Sequence, residues 1–296
     1  MSDNISRRRF LAASGTLPAM PFLAYGESKK PAKIPVKISL NAYSFNRPLN
    51  EGRLSLFQLI DFCVMQKFDA LDLTAYYFTG YPEIPEDSHL YDIKRYAFLS
   101  GMEISGTGVR NDFTDPDPQK RAQDVTLVRN WVECAAKLGA PVIRVFAGKQ
   151  TPTGYSRSQI TGWVVEGLKK CAGFGRQYGI ITAVQNHNDF LKNADEVLEI
   201  IQAVDSEWFG LVLDIGSFRE GDPYEQIARL APYAVNWQIK EQVYINGKET
   251  RTDLNIVAQI LKESGYRGYI PIETLGEGDP REKVIRFLEE VRTAIS

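Results

Sequence analysis

Four short apolar runs in the second half of the chain end on polar side chains that can bind cations or exchange protons. These side chains are Gln185, Asp214, Gln238 and Glu273. Burying two carboxylates close together is costly unless a cation or several hydrogen-bond donors compensate their charge. A divalent cation held by the four side chains would remove that cost, so the pattern indicates a candidate metal-binding or acid–base site.

Strand periodicity places two further ionisable side chains beside these four. In an extended strand, residues two apart point to the same face. Lys240 therefore shares a face with Gln238, and His187 shares a face with Gln185.

Structural roles for the same residues remain open at the level of sequence. Asp214 could cap the segment that follows it, and Glu273 could form a structural ion pair with Lys240. The two glutamines could be hydrogen-bonded amides of the core, and His187 could be a structural histidine.

Short apolar runs alternate with longer amphipathic runs from residue 36 onwards. The predicted strands are 36–42, 69–74, 103–108, 141–147, 180–186, 209–215, 235–240 and 269–274. The predicted helices are 54–66, 88–100, 118–138, 157–178, 194–204, 223–231, 253–264 and 280–294. Such alternation indicates an α/β fold with a parallel sheet and crossover helices. Eight units in about 260 residues favour a single (β/α)8 TIM barrel, whose catalytic groups project from the C-terminal strand ends.

A doubly wound open sheet is the alternative fold. The first strand–helix junction lacks a Gly-x-Gly-x-x-Gly pattern, and the sequence contains no Walker A motif. The usual phosphate-binding motifs of such sheets are therefore missing.

Several candidate substrate-binding residues lie at the ends of the predicted strands, at the mouth of such a barrel. Aromatic rings with polar groups suit the faces of sugars, and arginines suit carboxylates or arrays of hydroxyl groups. The candidates are Tyr43, Tyr76, Arg110, Arg144, Asn186 and Asn188. The aromatic residues could instead simply cover the mouth, and each arginine could instead pair with an aspartate at the rim.

Composition limits the classes of function. The chain has 296 residues, 44% of them hydrophobic and 24% charged, with a net charge of −2. Such a chain is globular and offers no strong positive field to nucleic acid. Cys63, Cys134 and Cys171 are too few for a disulfide scaffold, and their helical context predicts buried thiols. The expected partner is a small molecule, and the sequence gives no oligomeric state.

The N-terminal segment over residues 1–26 has the features of an export signal. Residues 6–11 read Ser-Arg-Arg-Arg-Phe-Leu, a twin-arginine pattern, and a mildly apolar stretch runs to a small-x-small sequence at 24–26. We expect recognition by the twin-arginine export machinery and a periplasmic location, with the signal either cleaved or kept as an anchor. A linker over 27–35 and the barrel over 36–296 complete the predicted organisation.

Residues 36–296 resemble the xylose isomerase-like TIM barrels, a family that includes sugar phosphate isomerases and epimerases. Four motifs carry the resemblance, namely Gln185-Asn186-His187, Leu213-Asp214-Ile215-Gly216, Gln238-Ile239-Lys240-Glu241 and Pro271-Ile272-Glu273-Thr274. In that family a Glu, an Asp, a His and a second Glu at strand ends bind one divalent metal. The resemblance therefore implies metal ligands at Gln185, Asp214, Gln238 and Glu273.

Three positions depart from the family pattern. Gln185 stands where the family has Glu, Gln238 where it has His, and Ser217 where it has the His of Asp-x-x-His, whereas Lys240 matches a family lysine. The resulting all-oxygen site implies a weakly held Mn²⁺, Mg²⁺ or Ca²⁺ in preference to Zn²⁺. Gln185 has no proton affinity near neutral pH and cannot serve as a base.

These features together predict a sugar isomerase- or epimerase-like enzyme that abstracts a proton next to a carbonyl with the help of a metal. Glu273 is the candidate base, and Lys240 and His187 are candidates for its catalytic partner. One base also suits β-elimination, so a lyase acting on 3-keto-glycosides is an alternative, and a non-catalytic carbohydrate-binding barrel is another. The export signal argues for a substrate without phosphate.

Overall fold

A computed structural model describes residues 34–296, so the predicted signal over 1–26 and most of the predicted linker over 27–35 lie outside the described residues. Within 34–296, no helix combines the length and apolar character needed to cross a membrane.

Eight of the ten strands found in residues 34–296 close into a parallel barrel. The strands are β1 (Lys37–Asn41), β2 (Ala70–Thr74), β3 (Glu103–Gly108), β4 (Val142–Phe146), β5 (Ile181–Gln185), β6 (Phe209–Asp214), β7 (Ala234–Lys240), β8 (Gln242–Ile245), β9 (Lys248–Arg251) and β10 (Tyr269–Glu273). The order around the closed barrel is β1-β10-β7-β6-β5-β4-β3-β2. The predicted TIM barrel is therefore confirmed, and the open-sheet alternative is wrong because β1 pairs with both β2 and β10.

The α-helices surround this barrel. They are α1 (Asn46–Asn50), α2 (Leu56–Met65), α3 (Asp87–Leu99), α4 (Pro118–Leu138), α5 (Arg157–Tyr178), α6 (Ala194–Val204), α7 (Pro223–Leu230), α8 (Leu254–Ser264) and α9 (Pro280–Ile295). Short 3-10 helices cover Ala42–Phe45, Ala75–Tyr77 and Ala231–Tyr233.

Local sequence fixes where the long helices begin and end. Ser156 caps α5 with a capping box that includes Gln159, which satisfies otherwise unpaired backbone donors at the helix start. Gly139 and Gly179 follow α4 and α5 with φ of 79° and 71°, a left-handed conformation that glycine adopts without strain.

The main hydrophobic core lies between the outer faces of the barrel strands and the surrounding helices. The predicted burial of the three thiols is confirmed, since Cys63, Cys134 and Cys171 lie on α2, α4 and α5 and are buried and unpaired. Burial raises the pKa of all three thiols and keeps them as unreactive packing groups.

An antiparallel hairpin of β8 and β9 interrupts the barrel pattern directly after β7. The hairpin is absent from the predicted elements because both strands have only four residues and β9, Lys-Glu-Thr-Arg, contains no apolar side chain. Its turn nevertheless carries a signal, since Asn246 and Gly247 both have positive φ, at 51° and 76°. Asn-Gly is the pair that tight hairpin turns of this kind favour.

Candidate active site

The barrel register brings the polar strand-end residues together at the C-terminal end of the barrel. Asp214 pairs with Gln238 across β6 and β7, and Lys240 pairs with Glu273 across β7 and β10. Gln185 ends the neighbouring strand β5. We refer to these five residues as the charged cluster.

Asp214 is completely buried and accepts four hydrogen bonds or ion pairs. Its Oδ1 accepts from the backbone N–H of Gly216 at 3.0 Å. Its Oδ2 accepts from Ser217 Oγ at 2.8 Å, Gln185 Nε2 at 2.8 Å and Lys240 Nζ at 3.2 Å. These donors compensate the carboxylate group, which is completely shielded from solvent. Asp214 therefore does more than cap the segment after β6.

The two glutamine amides link the carboxylates into one network. Gln185 Nε2 also donates to Gln238 Oε1 at 2.7 Å, and Gln238 Nε2 donates to Glu273 Oε2. An ionised carboxylate only accepts hydrogen bonds, so both amides must turn their NH₂ groups towards the acids.

Lys240 lies between the two carboxylates. Its Nζ is 2.8 Å from Glu273 Oε1 and 3.2 Å from Asp214 Oδ2, and the lysine side chain is only 13% exposed. Burial alone would lower the pKa of Lys240, but Asp214 and Glu273 outweigh this effect and raise the pKa above its ordinary value. Lys240 is therefore a buried ammonium ion that compensates two acids at once.

The predicted residues next to Gln185 occupy different environments. Asn186 is completely buried, and its amide bonds to both the backbone N–H and the C=O of Asp214, so we assign it a structural role at the end of β5. His187 is exposed, with Nδ1 3.5 Å from Asp189 Oδ2. Asn188 has a left-handed backbone with φ of 57° in the loop that follows.

Tyr76 lies between the two predicted arginines. The guanidinium of Arg110 stacks 4.2 Å from the ring centroid of Tyr76, and Arg144 Nη2 donates to the Tyr76 hydroxyl at 2.7 Å. Tyr43 meets the same ring edge-on, with centroids 6.4 Å apart. Neither arginine forms an ion pair with an aspartate among the described residues, in contrast to the alternative left open by the sequence.

These contacts continue to the fifth strand. The guanidinium of Arg144 lies 4.2 Å from the ring centroid of Phe146, which in turn packs 4.9 Å from the His187 ring. We call this group the aromatic wall; its members are Tyr43, Tyr76, Arg110, Arg144, Phe146 and His187. The wall comes from β1 to β5 and the charged cluster from β5, β6, β7 and β10, so the mouth has an aromatic half and a charged half.

Asp72 on β2 is a buried acid that the sequence analysis missed. A Cβ on Gly106 would lie 2.9 Å from Asp72 Oδ2 and 3.3 Å from Asn236 Nδ2, so the glycine leaves room for the carboxyl inside the barrel. Burial raises the pKa of Asp72 from 3.8 to about 6, with Arg144 opposing and Glu273 adding to the effect. A polar residue within the apolar strand Ala70–Thr74 is the signal that could have found it.

Residues 65–291, well over half of the chain, match the family model of the xylose isomerase-like TIM barrels. The chain belongs to this family. No curated protein is significantly similar to it.

Several solved structures share the fold at low identity. A D-psicose 3-epimerase with D-tagatose from Clostridium cellulolyticum H10 is 15% identical, with a TM-score of 0.73 over 88% of this chain and 100% of that one. A zinc-bound IOLI protein is 18% identical, with a TM-score of 0.71 over 88% and 98%. The 3-keto-D-glucoside 4-epimerase YcjR from E. coli is 14% identical, with a TM-score of 0.69 over 87% and 99%.

The charged cluster does not fit the divalent cation that the family resemblance implies at Gln185, Asp214, Gln238 and Glu273. Both amides present NH₂ groups to the acids, and the Gln238 oxygen already accepts from Gln185. The Lys240 ammonium contacts both carboxylates. Among residues 34–296, no group of three or more His, Cys, Asp or Glu side chains is placed to hold a metal.

Proposed function

We propose that the protein is an enzyme that removes a proton next to the carbonyl group of a sugar or sugar derivative without phosphate. Membership of the xylose isomerase-like family supports a sugar isomerase- or epimerase-like enzyme. The observation that carries the proposal is the buried Glu273 carboxylate, paired with the Lys240 ammonium at the mouth of the barrel.

Glu273 is the base in this proposal. It takes the proton from the carbon next to the carbonyl, the C–H electron pair forms a carbon–carbon double bond, and the carbonyl oxygen takes the negative charge. Lys240 donates a hydrogen bond to that oxygen, where an ammonium stabilises the developing charge most. Returning the proton from Glu273 to the adjacent carbon, while a proton moves between the two oxygens, completes an isomerisation.

The two halves of the mouth support a carbohydrate as substrate. The rings of Tyr43 and Tyr76 suit the apolar face of a sugar, and Arg110 and Arg144 suit its oxygens. The related epimerase structure contains D-tagatose, and the related YcjR acts on 3-keto-D-glucosides. The twin-arginine pattern at residues 6–11 supports a substrate without phosphate.

A β-eliminating lyase is the second candidate, because the charged cluster has one base where the family has two glutamates. Epimerisation needs an acid–base group on each face of the substrate, and Gln185 cannot supply one. In a 3-keto-glycoside, proton loss to Glu273 forms the double bond, and the glycosidic oxygen leaves from the adjacent carbon with its electron pair.

Deuterium exchange tests the proposal. Wild-type protein is incubated in D₂O with D-fructose, D-tagatose and a 3-keto-glucoside of nitrophenol, and NMR follows both deuterium incorporation and nitrophenol release. We expect exchange or release with wild type and a loss of at least about 100-fold in Glu273→Gln. The control is Glu263→Gln, which changes an exposed glutamate on α8.

The pattern of products separates the candidates. Deuterium in a ketose without release indicates an isomerase, and release of nitrophenol indicates a lyase. Binding of these sugars without either reaction would contradict the proposal and leave a carbohydrate-binding barrel.

A further inference from the structure

We propose that the Lys240 ammonium takes the place of the divalent cation used in this family, so that the site needs no metal. The chemistry assigned to Lys240 rests on the proposed function, whereas its effect on metal binding is independent of that function.

The position of the ammonium is the first observation. Lys240 Nζ contacts Asp214 Oδ2 at 3.2 Å and Glu273 Oε1 at 2.8 Å. These two acids are the family ligands that this chain retains. An ammonium between them compensates the charge that a bridging cation would otherwise compensate.

The amides are the second observation. The resemblance places a lysine in the family beside a complete metal site, so Lys240 alone does not distinguish this chain. The distinguishing feature is the replacement of a charged ligand by Gln185 and of an imidazole by Gln238. Both amides now donate to the acids, and a metal would have to break these bonds and reverse both side chains.

Close packing holds the lysine stem in this position. A Cβ on Gly216 would lie 2.8 Å from Lys240 Cδ and 2.9 Å from the carbonyl oxygen of Gln242. The absence of a side chain at position 216 therefore lets the stem lie against the backbone after β6. From there the ammonium reaches both carboxylates.

Charge opposes a second cation in the same place. Asp214 and Glu273 carry two negative charges, and Lys240 already offsets one of them. A divalent ion would have to share the two carboxylates with an adjacent ammonium, in surroundings where like charges are poorly screened. An ammonium also has three N–H groups. Two of them donate to the two carboxylates, so the third can donate to the substrate oxygen.

Metal binding is measured first, without any substrate. We expect dialysed wild-type protein to contain no stoichiometric Mn²⁺, Mg²⁺, Ca²⁺ or Zn²⁺ by mass spectrometry, and its Tm to stay unchanged in millimolar Mn²⁺. Lys240→Met keeps the stem and removes the charge, which leaves two uncompensated acids. We expect Mn²⁺ to raise the Tm of this variant, because an ion that binds only the folded state stabilises it.

Lys137 provides a matched control. Its Nζ also bridges two acids, Asp87 at 2.6 Å and Glu133 at 2.8 Å, but Asp87 is exposed and Glu133 is only half-buried. Lys137→Met is therefore expected to show no Tm rise with Mn²⁺. If Lys240→Met does not fold, Lys240→Arg, which retains the charge, takes its place as the variant. The metal content and the Mn²⁺ response of wild-type protein then still decide whether the site binds a metal.

The exchange reaction provides the second readout. EDTA is expected to change the wild-type rate by less than about twofold, whereas Lys240→Met lowers it by about 100-fold or more. Stoichiometric metal in wild type that is lost in Asp214→Asn, loss of exchange in EDTA, or a Lys240→Met variant that gains no Mn²⁺ response would each overturn the inference. Absence of exchange in every condition would overturn the proposed function and leave the metal measurements valid.

Discussion

An amide that stands in place of a carboxylate or an imidazole can donate hydrogen bonds where the other side chain would bind a metal. Gln185 and Gln238 stand where the family resemblance implies metal ligands, yet their NH₂ groups point at Asp214 and Glu273. The two glutamines thus turn a set of hydrogen-bond acceptors, which would need a cation to compensate its charge, into a network of paired donors and acceptors. The residue type alone decides between metal binding and hydrogen bonding, because the backbone places a glutamine and a metal-binding side chain in the same location.

The pH dependence of folding is predicted to reflect Asp72. Its pKa in the folded protein is raised to about 6 from 3.8, so between these values the folded state holds more protons than the unfolded state, and stability falls as the pH rises. Asp72→Asn removes this effect. From pH 4 to pH 7 we expect the free energy of unfolding of Asp72→Asn, relative to that of wild type, to rise by about 2 to 3 kcal/mol.

Urea unfolding at a series of pH values measures this difference. Asp92→Asn, which changes an exposed aspartate on α3, is the control. A difference between Asp72→Asn and wild type that stays constant from pH 4 to pH 7 would contradict the prediction.

Sequence reasoning found all five residues of the charged cluster because polar residues at the ends of apolar strands are conspicuous. It also named the Lys240–Glu273 ion pair as an open alternative, and the structure contains that pair. It could not foresee that one ammonium reaches both acids, since that depends on side-chain direction across two strands. Asp72 escaped notice because it lies in the middle of its strand, whereas the search for site residues relied on polar side chains at strand ends.

At the scale of elements, the base of the β8–β9 hairpin lies next to Lys240. The chain leaves the barrel at the end of β7 and returns at Thr252, whose hydroxyl donates to the carbonyl oxygen of Lys240 at 2.7 Å. The Thr252 N–H also donates to the carbonyl oxygen of Glu241 at 3.0 Å. The base of the hairpin thus fixes the backbone from which Lys240 projects.

Thr252→Val is predicted to destabilise the protein. The variant keeps the shape of the side chain and leaves the Lys240 carbonyl without its hydroxyl donor, at a cost of about 1 to 2 kcal/mol. That corresponds to a fall in Tm of roughly 2 to 8 °C for a domain of this size, measured by thermal unfolding.

The same hairpin supplies the control. Thr250 is more exposed, and its hydroxyl donates to Lys248 O at 3.1 Å, so Thr250→Val is expected to cost less. Equal losses of stability in Thr252→Val and Thr250→Val would contradict the prediction, because the bond to the Lys240 carbonyl would then contribute no more than the bond to the Lys248 carbonyl.

Element positions were predictable because the barrel strands and helices have different periods of apolar residues. The eight predicted barrel strands and the predicted long helices all occur in the structure, with ends shifted by a few residues at most. The hairpin was missed because four-residue strands such as Lys248–Arg251 carry no apolar pattern. A strand that pairs only with its neighbour in a hairpin need not bury either face.

At the scale of the whole molecule, we propose that the chain is exported by the twin-arginine route to the periplasm. The proposal rests on residues 6–11, which lie outside the described residues, together with the mildly apolar stretch that follows. A barrel whose first and last strands pair must be complete before it closes, which suits a route that carries folded proteins.

Changing Arg7 and Arg8 together to lysine is predicted to block export. Fractionation of cells that express the full chain should find wild type in the periplasm and the double variant inside the cell. Arg9→Lys alters the adjacent arginine outside the pair and should leave export unchanged. Periplasmic double variant would show that another signal directs the chain.

A lysine that bridges two acids also changes how the site obtains its cation, because no metal ion has to be supplied by the cell. Metal sites compete for whatever ions a cell offers, and copper and zinc tend to displace weaker binders such as manganese. The Lys240 cation is synthesised with the polypeptide at one per molecule, so it cannot be exchanged for the wrong element or removed by a rival chelator. A protein built in this way carries the cation of its site from synthesis onwards and needs no separate step of metal loading.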